Sequence, residues 1–203
     1  THYAIGKDCI DHDCHVLIEK PITNKREEAD VLLTRAKEQN VILRVGHIER
    51  FNAAFRAVKK IAKNIKFIEI HRLGPFTPRI ADCGVALDLM IHDLDIILNL
   101  LHCRITSIDA VGISVLSKFE DIANARLKFE NGAIVNITAS RLTPEKQRKI
   151  RIFQDDAYIS LDYQNQAGSI YRKEFFTITK KEIDIQKEEP LKCELEDFIA
   201  TIQ

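Results

Sequence analysis

The first fifty residues contain two short apolar runs, separated by a segment in which apolar residues recur at helical spacing. Residues 15–18 and 41–45 are apolar runs, and residues 25–39 between them repeat alanine and leucine at helical spacing. Continuous apolar runs of this length are typical of strands that are buried on both faces of a parallel sheet. The order strand, helix, strand therefore predicts a βαβ unit, with a further helix over residues 2–13.

A different pattern begins after residue 52. Helices are predicted over residues 53–63 and 84–101, with a strand from Ile65 to His71 between them. Apolar and polar residues then alternate, which predicts strands over 104–113, 121–130, 133–140, 147–154 and 157–163, a further strand from Phe175 to Ile178, and a last helix from Pro190 to Ile202. Asn131-Gly132 between two such runs is a hairpin signal. We therefore predict a second sheet that is largely antiparallel.

The composition argues against several classes of function. The formal net charge is zero over 203 residues, so no overall field attracts nucleic acid or an anionic membrane. The longest apolar run, from Val85 to Leu101, is interrupted by charged residues, so it is not predicted to span a membrane. The five cysteines are scattered and odd in number, which is typical of reduced thiols in a cytoplasm.

The segment Cys9–His15 is dense in residue types that ligate metals. Its spacing fits no standard zinc pattern, and its side chains are expected to diverge because part of it is predicted helix and part strand. We expect no metal site here. Asp88, His92 and Asp95 could in principle hold a metal for hydrolysis, but that interpretation leaves Lys20 without a role.

Candidate chemistry first appears where the first predicted strand ends, at Glu19-Lys20-Pro21. In an open α/β sheet, ligands bind beyond the carboxyl ends of the parallel strands. Proline restricts the backbone directly behind the lysine. Lys20 is therefore a candidate binding or catalytic cation. The alternative is that Glu19 and Lys20 are ordinary solvated charges at a strand end.

The helix predicted over residues 84–101 has two stripes. The apolar stripe consists of Leu87, Ile91, Leu94, Leu98 and Leu101, and the polar stripe of Asp88, His92, Asp95 and Asn99. Residues four apart lie on one helix face, so Asp88 and His92 are expected to point the same way. A histidine exchanges protons near neutral pH, and a carboxylate one turn away can orient it. The alternative is an exposed polar face.

Three segments occur in one order: Glu19-Lys20-Pro21, then Val45 through Asn52, then Gly84 through Asp88 to His92-Asp93-Leu94-Asp95. With them the chain resembles the Gfo/Idh/MocA family of nicotinamide-dependent oxidoreductases over essentially its whole length. The resemblance implies an α/β fold. Residues 1–52 would be the C-terminal portion of a Rossmann NAD(P)-binding domain, and residues 53–203 an α+β substrate-binding and oligomerisation domain with a large, mostly antiparallel sheet.

The family's glycine-rich phosphate loop has no counterpart in this sequence. We therefore expect that about the first half of the Rossmann domain lies outside it, and that these 203 residues alone bind dinucleotide poorly. The resemblance implies that the segment that distinguishes NAD from NADP also lies outside these residues, so we expect NAD or NADP as the cofactor without a choice between them.

The resemblance also implies roles for individual residues. The catalytic residues would be Lys20, Asp88 and His92; the cofactor contacts His2, Glu19, Lys20 and Pro21; and the substrate contacts Arg50, Asn52, Arg72 and Arg79. Oxidation of a secondary alcohol gives a hydride to the cofactor and a proton to a base. Whether Lys20 or His92 is the immediate base stays open. The alternative for Arg50 is a structural pair with Glu49 or Glu19.

Residues 68–76, 136–141 and 148–154 resemble the branch of the family that oxidises C3 of UDP-N-acetylglucosamine. The resulting 3-keto sugar is converted by an aminotransferase for a diamino lipid A. A diphosphate suits arginine forks, and cations are supplied by His71, Arg72, Arg79 and Arg141. The alternative for Arg148, Lys149 and Arg151 is a solvated strand face or an oligomer contact. Alternative functions are oxidation of a free polyol or sugar such as inositol or glucose, and a non-catalytic binding role.

An antiparallel sheet with helices on one face leaves its other face open. The pairs Ile134/Asn136 and Ile137/Ala139 indicate that this face is not fully polar. Since an exposed apolar face implies a partner, we expect a homodimer or homotetramer built through the open sheet face. Its ligand would be a sugar or nucleotide sugar, with neither nucleic acid nor a membrane as partner.

Overall fold

The structure is a computed structural model that describes residues 1–77, 83–174 and 177–203. Two compact units are present: residues 1–51 together with 189–203, and residues 52–188. The first break falls one residue before the predicted domain boundary. The last helix, assigned to the second domain from the sequence, lies in the first unit. As functional domains, 1–52 and 53–203 stay a prediction.

The first unit is a βαβ arrangement with two further helices. Its elements are helix α1 (His2–Asp11), strand β1 (Val16–Glu19), helix α2 (Arg26–Glu38), strand β2 (Leu43–Gly46), a 3₁₀ turn (Ile48–Phe51) and helix α5 (Pro190–Ile202). Strands β1 and β2 pair in parallel, as the apolar runs predicted. Ile10, Ile18 and Leu32 form its core, which joins both early helices to the sheet.

The second unit is built on one sheet of eight strands. Its elements are helix α3 (Ala53–Ile61), strand β3 (Phe67–Leu73), a π-helical turn (Ala86–Met90), helix α4 (Ile91–Leu101), and strands β4 (Ile105–Ile113), β5 (Ile122–Phe129), β6 (Ile134–Ser140), β7 (Gln147–Phe153), β8 (Ala157–Asp162), β9 (Ala167–Glu174) and β10 (Thr177–Glu182). The strand order is β10-β9-β8-β7-β3-β6-β5-β4. Within this sheet, β3 and β6 form the one parallel pair among its described strands, and the other neighbouring strands pair antiparallel. The predicted large, mostly antiparallel sheet is confirmed.

Two local features of this sheet follow from the sequence. The hairpin between β5 and β6 turns at Asn131-Gly132, where Gly132 has a φ of 84° that suits glycine. Strand β9 was not predicted. Of the strand predicted from Phe175 to Ile178, residues 175–176 lie outside the described residues, and Thr177 and Ile178 begin β10, which pairs antiparallel with β9. Apolar side chains of alternate positions form a continuous core beneath the sheet.

The apolar stripe of the segment over residues 84–101 is not the face that is buried along its whole length. Of its members, Leu87 and Leu98 are 44% and 48% exposed and Leu101 is buried, while Met90, Asp93, Ile96 and Ile97, which lie outside the stripe, are buried. The segment is apolar on most sides, so periodicity alone could not select the face that the sheet covers. In the described ranges no helix is both long enough and apolar enough to cross a membrane.

Candidate active site

The Glu-Lys-Pro motif directly follows β1 in the first unit. Lys20 is half-buried one residue beyond the strand, and its peptide bond to Pro21 is cis. His2 Nδ1 donates a hydrogen bond of 2.8 Å to the carbonyl oxygen of Pro21. The first residue of α1 thus holds the backbone behind the lysine. Lys20, Pro21 and His2, which the resemblance linked to the cofactor, are brought together at the carboxyl end of β1, the edge where dinucleotides bind in such sheets.

Glu19 lies against the end of the neighbouring strand. A Cβ atom at Gly46 would lie 3.2 Å from both Cδ and Oε2 of Glu19. Because real side chains rarely approach so closely, glycine at position 46 leaves room for this carboxylate. Glu19 and Gly46 are also partners in the parallel register of β1 and β2. The ends of the two strands are therefore shaped to fit one another.

The segment after β2 gives its candidate residues different surroundings. Arg50 is exposed, whereas Asn52 is only 5% exposed. Asn52 Oδ1 accepts from Ala54 N at 3.0 Å as the N-cap of α3, and its Nδ2 donates to Tyr163 O at 3.2 Å. A substrate contact for Arg50 or Asn52 stays a prediction. The observed contacts of Asn52 organise the fold.

A carboxylate that the sequence analysis missed lies in the first unit. Glu194 of α5 is 3% exposed, and its Oε2 has no hydrogen-bond partner in the described part of the chain. Burial and the nearby charge of Glu19 raise the pKa of Glu194, while Arg44 and Arg50 act in the opposite direction. The side chain lines a cavity of about 310 Å³ that opens beside β2. The apolar pattern of α5 did not indicate this burial, because the neighbouring Leu191 and Leu195 are themselves 42% and 43% exposed.

Asp88 and His92 lie in the second unit, on the segment predicted as one helix. The segment is helical, but residues Ala86–Met90 form a π-helical turn and the α-helix begins at Ile91. A π turn carries an extra residue, so Asp88 and His92 do not have the simple α-helical offset that was predicted. Both side chains are half-buried. Single π turns are frequent at functional sites.

A loop carboxylate caps the start of this segment. Glu120 Oε1 accepts from Ala86 N at 3.1 Å, and Val85 N donates to Glu120 O at 3.0 Å. The first backbone N–H groups of a helical segment have no partner within it, so these contacts satisfy two of them. Glu120 therefore fixes the start of the turn that carries Asp88.

Arg72 points to the inner face of the sheet. Its Nε donates to Asp93 Oδ2 at 2.9 Å and its Nη2 to Asp93 Oδ1 at 2.8 Å, with both side chains at most 4% exposed. Strand alternation explains this placement, because Ile68, Ile70 and Arg72 share one face of β3. Asp93 directly follows His92. The pair therefore ties the strand to the candidate catalytic helix.

A second buried ion pair organises the loops near that helix. Arg141 Nε donates to Asp121 Oδ1 at 2.7 Å, and its Nη1 donates to Cys83 O at 2.9 Å. Burial of Asp121 opposes ionisation, but hydrogen bonds from the backbone of Val115 and Leu116 and from Arg141 outweigh it, so the pKa of Asp121 is well below its usual range.

These two pairs correct the argument for a diphosphate site. Arg72 and Arg141, two of the four cations expected to face a diphosphate, are buried and paired with carboxylates. Arg79 lies outside the described residues. A substrate contact for Arg72 or Arg79 stays a prediction, but Arg72 and Arg141 are not exposed cations. The sequence could not show this because both partner carboxylates lie some twenty residues away.

The metal-ligand residue types near the N-terminus have other contacts. Asp11 accepts from Lys7 and Arg35, His12 Nδ1 lies 2.8 Å from Asp8 O, and His15 Nδ1 accepts from Ile42 N at 3.0 Å. Among the residues with described placement, no group of three or more His, Cys, Asp and Glu side chains is arranged to hold a metal ion.

Comparison with known proteins matches both parts of the chain to one family. Residues 1–47 match the oxidoreductase family with an NAD-binding Rossmann fold, and residues 44–160 match the GFO/IDH/MocA C-terminal domain. A relative from Acidithiobacillus ferrooxidans, UDP-N-acetylglucosamine 3-dehydrogenase, is 36% identical over 100% of this chain and 67% of its own length. Its solved structure superposes with a TM-score of 0.93, covering 66% of that chain.

More distant relatives act on inositols. The scyllo-inositol 2-dehydrogenase (NAD(+)) of Bacillus subtilis is 31% identical over 71% of this chain and 46% of its own length. An inositol dehydrogenase homolog from Azotobacter vinelandii, solved with NADH and myo-inositol, has a TM-score of 0.80 at 20% identity, covering 90% of this chain and 53% of that chain, which shows the fold alone. The chain thus spans about half to two thirds of the length of these proteins. By its match to both domain families, this chain belongs to the Gfo/Idh/MocA family of oxidoreductases.

Proposed function

We propose that the protein containing this chain is an NAD- or NADP-dependent dehydrogenase that oxidises C3 of UDP-N-acetylglucosamine to the 3-keto sugar. The observation that carries the proposal is the whole-chain similarity to a UDP-N-acetylglucosamine 3-dehydrogenase, at 36% identity and a TM-score of 0.93. Lys20 at the carboxyl end of β1 and Asp88 and His92 around the π turn supply the residue types that the reaction needs.

The three residues have separate roles in this proposal. His92 accepts the proton of the sugar hydroxyl or returns it, as a general base or acid. Asp88 orients the imidazole and favours its protonated form. The ammonium of Lys20 stabilises the alkoxide that develops as the hydroxyl is deprotonated. Lys20 could take the proton instead only as the neutral amine, and which of Lys20 and His92 is the immediate base is left open.

The residues at the end of β1 fit a nicotinamide dinucleotide. His2 holds the backbone of Pro21 by a hydrogen bond, and Gly46 leaves room for the Glu19 carboxylate. The backbone at the end of β1 is thereby fixed where Lys20 supplies a positive charge. A nicotinamide dinucleotide held there would supply the acceptor for the hydride that leaves the sugar carbon. His2, Glu19, Lys20 and Pro21 are proposed to bind and orient it there. The phosphate-binding residues are proposed to come from elsewhere in the protein.

Substrate recognition is proposed to use Arg50, Asn52, Arg72 and Arg79. Exposed Arg50 is the best placed of the described members for direct contact with a phosphate. Arg72 and Asn52 have contacts within the protein, which favours an indirect contribution. The keto product is proposed to pass to an aminotransferase on a lipid A-type pathway in the cytoplasm.

A homodimer or homotetramer is proposed through the open face of the sheet. Four aromatic rings form a row across neighbouring strands on this face, with centroid distances of 5.6, 4.9 and 5.1 Å between Phe67, Phe153, Tyr158 and Tyr171 in turn. All four are half-buried, and aromatic side chains are enriched at interfaces. A second sheet packed on this row would remove it from water.

Spectrophotometry with the full-length gene product tests the proposed activity. Nicotinamide reduction at 340 nm is followed with UDP-N-acetylglucosamine, free N-acetylglucosamine, myo-inositol and glucose, each with NAD and with NADP. We expect reduction with the UDP-sugar. Lys20→Met and His92→Asn, prepared in the same way, serve as controls with strongly reduced activity. Reduction by myo-inositol or glucose alone would overturn the substrate while keeping the reaction type.

Oxidation of a free polyol is the second candidate function. The observation that favours it is the 31% identity to a scyllo-inositol 2-dehydrogenase over 71% of the chain. The burial of Arg72 and Arg141 also removes two cations that a diphosphate would have used. The same assay separates the two candidates, because a polyol dehydrogenase reduces the cofactor with inositol and needs no uridine diphosphate.

A further inference from the structure

We infer that Arg72 is a positioning residue for His92, acting through Asp93; the inference rests on the proposed function and extends it to a residue that touches no reacting atom. Arg72 lies near the end of β3, and β3 is hydrogen-bonded on both sides, to β6 and to β7. Its neighbours across the sheet are Ala139 and Arg148. The guanidinium is therefore attached to an interior strand of the sheet in the second unit.

The contact between Arg72 and Asp93 is bidentate. Two parallel N–H···O hydrogen bonds of 2.9 and 2.8 Å join the planar guanidinium to the carboxylate, and the side chains are 4% and 1% exposed. Such a fork constrains both distance and orientation, and little solvent competes with it. Since Asp93 is adjacent to His92 in the first turn of α4, the fork fixes the rotation of that turn relative to β3.

The helix needs a directional contact because its apolar surface does not select one rotation. Leu87 and Leu98 are exposed while Met90, Ile96 and Ile97 are buried, so apolar side chains occur on both sides of the segment. Burial of apolar area is non-directional, and rotating the helix would exchange one set of leucine and isoleucine side chains for another. An ion pair on one side favours a single rotation, and hence a single position of the His92 imidazole.

Stability alone does not account for a buried ion pair here. Replacing such a pair with apolar residues of similar volume is often neutral or stabilising, because desolvation offsets much of the attraction. What the apolar replacement lacks is geometric specificity. A misplacement of about 1 Å at a catalytic group can lower a rate about 100-fold. An apolar pair at these positions is therefore expected to preserve the free energy of unfolding but to lower kcat.

The test is a set of variants in the full-length protein. Arg72→Met and Asp93→Asn break the pair, Arg72→Met combined with Asp93→Leu replaces it with an apolar pair, and Arg72→Lys keeps the charge but removes the fork. Ile159→Ala in β8 is the control for lost stability, because Ile159 is fully buried in the core and its strand packs against α3. Kinetics with the preferred sugar and denaturant unfolding are measured for each.

We expect the apolar pair to recover most of the free energy of unfolding that the single changes lose, while kcat stays about 100-fold below wild type and KM changes little. Arg72→Lys should lower kcat with little loss of stability. Ile159→Ala should lose stability and keep kcat. Recovery of kcat together with stability in the apolar pair, or a kcat loss in Ile159→Ala equal to that of the single changes, would overturn the positioning role.

A structural readout separates this inference from the proposed function. Crystal structures of the wild type and of the apolar pair, superposed on β3 and β6, should show His92 displaced or in several rotations in the variant. An unmoved His92 overturns the inference whether or not the enzyme is active. If the wild type oxidises none of the substrates, the proposed function fails, and the superposition still decides whether Arg72 positions His92.

Discussion

Glu120 occupies the space that a side chain at Gly84 would need. A Cβ atom at position 84 would overlap the Glu120 carboxylate, whose Oε1 accepts from Ala86 N at 3.1 Å. Asp88 N in turn donates to Gly84 O at 3.1 Å. A glycine and a glutamate 36 positions apart thus determine together where the segment carrying Asp88 begins.

The first prediction follows from this contact. Gly84→Ala should displace the Glu120 carboxylate from Ala86 N and lower the free energy of unfolding by about 1 kcal/mol, the usual effect of losing a helix cap. Urea unfolding measures it. Gly74→Ala is the control, because a Cβ there would meet only Lys146 Cγ at an ordinary 3.7 Å. Equal effects of the two changes would contradict the capping role of Glu120.

The second prediction concerns the proton acceptor. His92→Asn should lower kcat by about 10² to 10⁴-fold, the range for losing a general base, with the fold retained. The pH profile of kcat/KM should lose its acidic limb in this variant and keep it in Lys20→Arg, because a histidine base is protonated at low pH. An acidic limb that persists in His92→Asn and disappears in Lys20→Arg would assign the base to Lys20 instead.

The third prediction concerns the buried carboxyl of α5. Because burial and Glu19 raise the pKa of Glu194 above its ordinary 4.5, the folded state holds this proton at a pH where the unfolded state has released it. Wild-type stability relative to Glu194→Gln should therefore fall as pH rises from 4.5 through the raised pKa, and level off above it.

Unfolding by urea between pH 4 and pH 8 measures that difference. Glu196→Gln, on the same helix but with a side chain 65% exposed, is the matched control and should show no such trend. The charges facing Glu194 are those of Glu19, Arg44 and Arg50. A difference between wild type and Glu194→Gln that grows in favour of wild type with rising pH would contradict the raised pKa.

The fourth prediction tests the aromatic row as an interface between copies. Tyr158→Asp places a charge between the rings of Phe153 and Tyr171, so burying the face would require desolvating a carboxylate. Light scattering should show a smaller oligomer. The protein concentration below which the oligomer dissociates should be at least about 100-fold higher for Tyr158→Asp than for wild type. Lys60→Asp, on the exposed side of α3, should leave the mass unchanged. An unchanged mass for Tyr158→Asp would contradict the proposed interface.

Much of the fold could be predicted from local patterns. The runs at β1 and β2 are short and apolar, and they pair in parallel as expected. The alternation from residue 104 onward gave the antiparallel strands, and Asn131-Gly132 gave a hairpin. These features depend on residues close in sequence, so the periodicity of side chains and the turn residues are sufficient to indicate them.

For the candidate residues too, local sequence predicted the element that carries each one but not the groups that surround it. Lys20 follows β1 and His92 lies on a helix, as their sequence contexts predicted. The surroundings of Arg72, Arg141 and Glu194 could not be predicted, because the groups that neutralise or bury them come from other elements. From its sequence context Arg72 is predicted to be an exposed cation beside a loop. In the structure its side chain is buried, where it pairs with Asp93.

The sequence by itself determined the order of helices and strands apart from β9, the mainly parallel or antiparallel character of the two sheets, and the family to which the motifs belong. Only the tertiary structure decided which side of the segment 86–101 faces the sheet, where that segment changes from π to α geometry, and which charges are buried in pairs. The physical reason is that hydrogen bonds within an element depend on neighbouring residues, whereas the free energy of burying a charge depends on a partner that folding brings from a distant part of the chain.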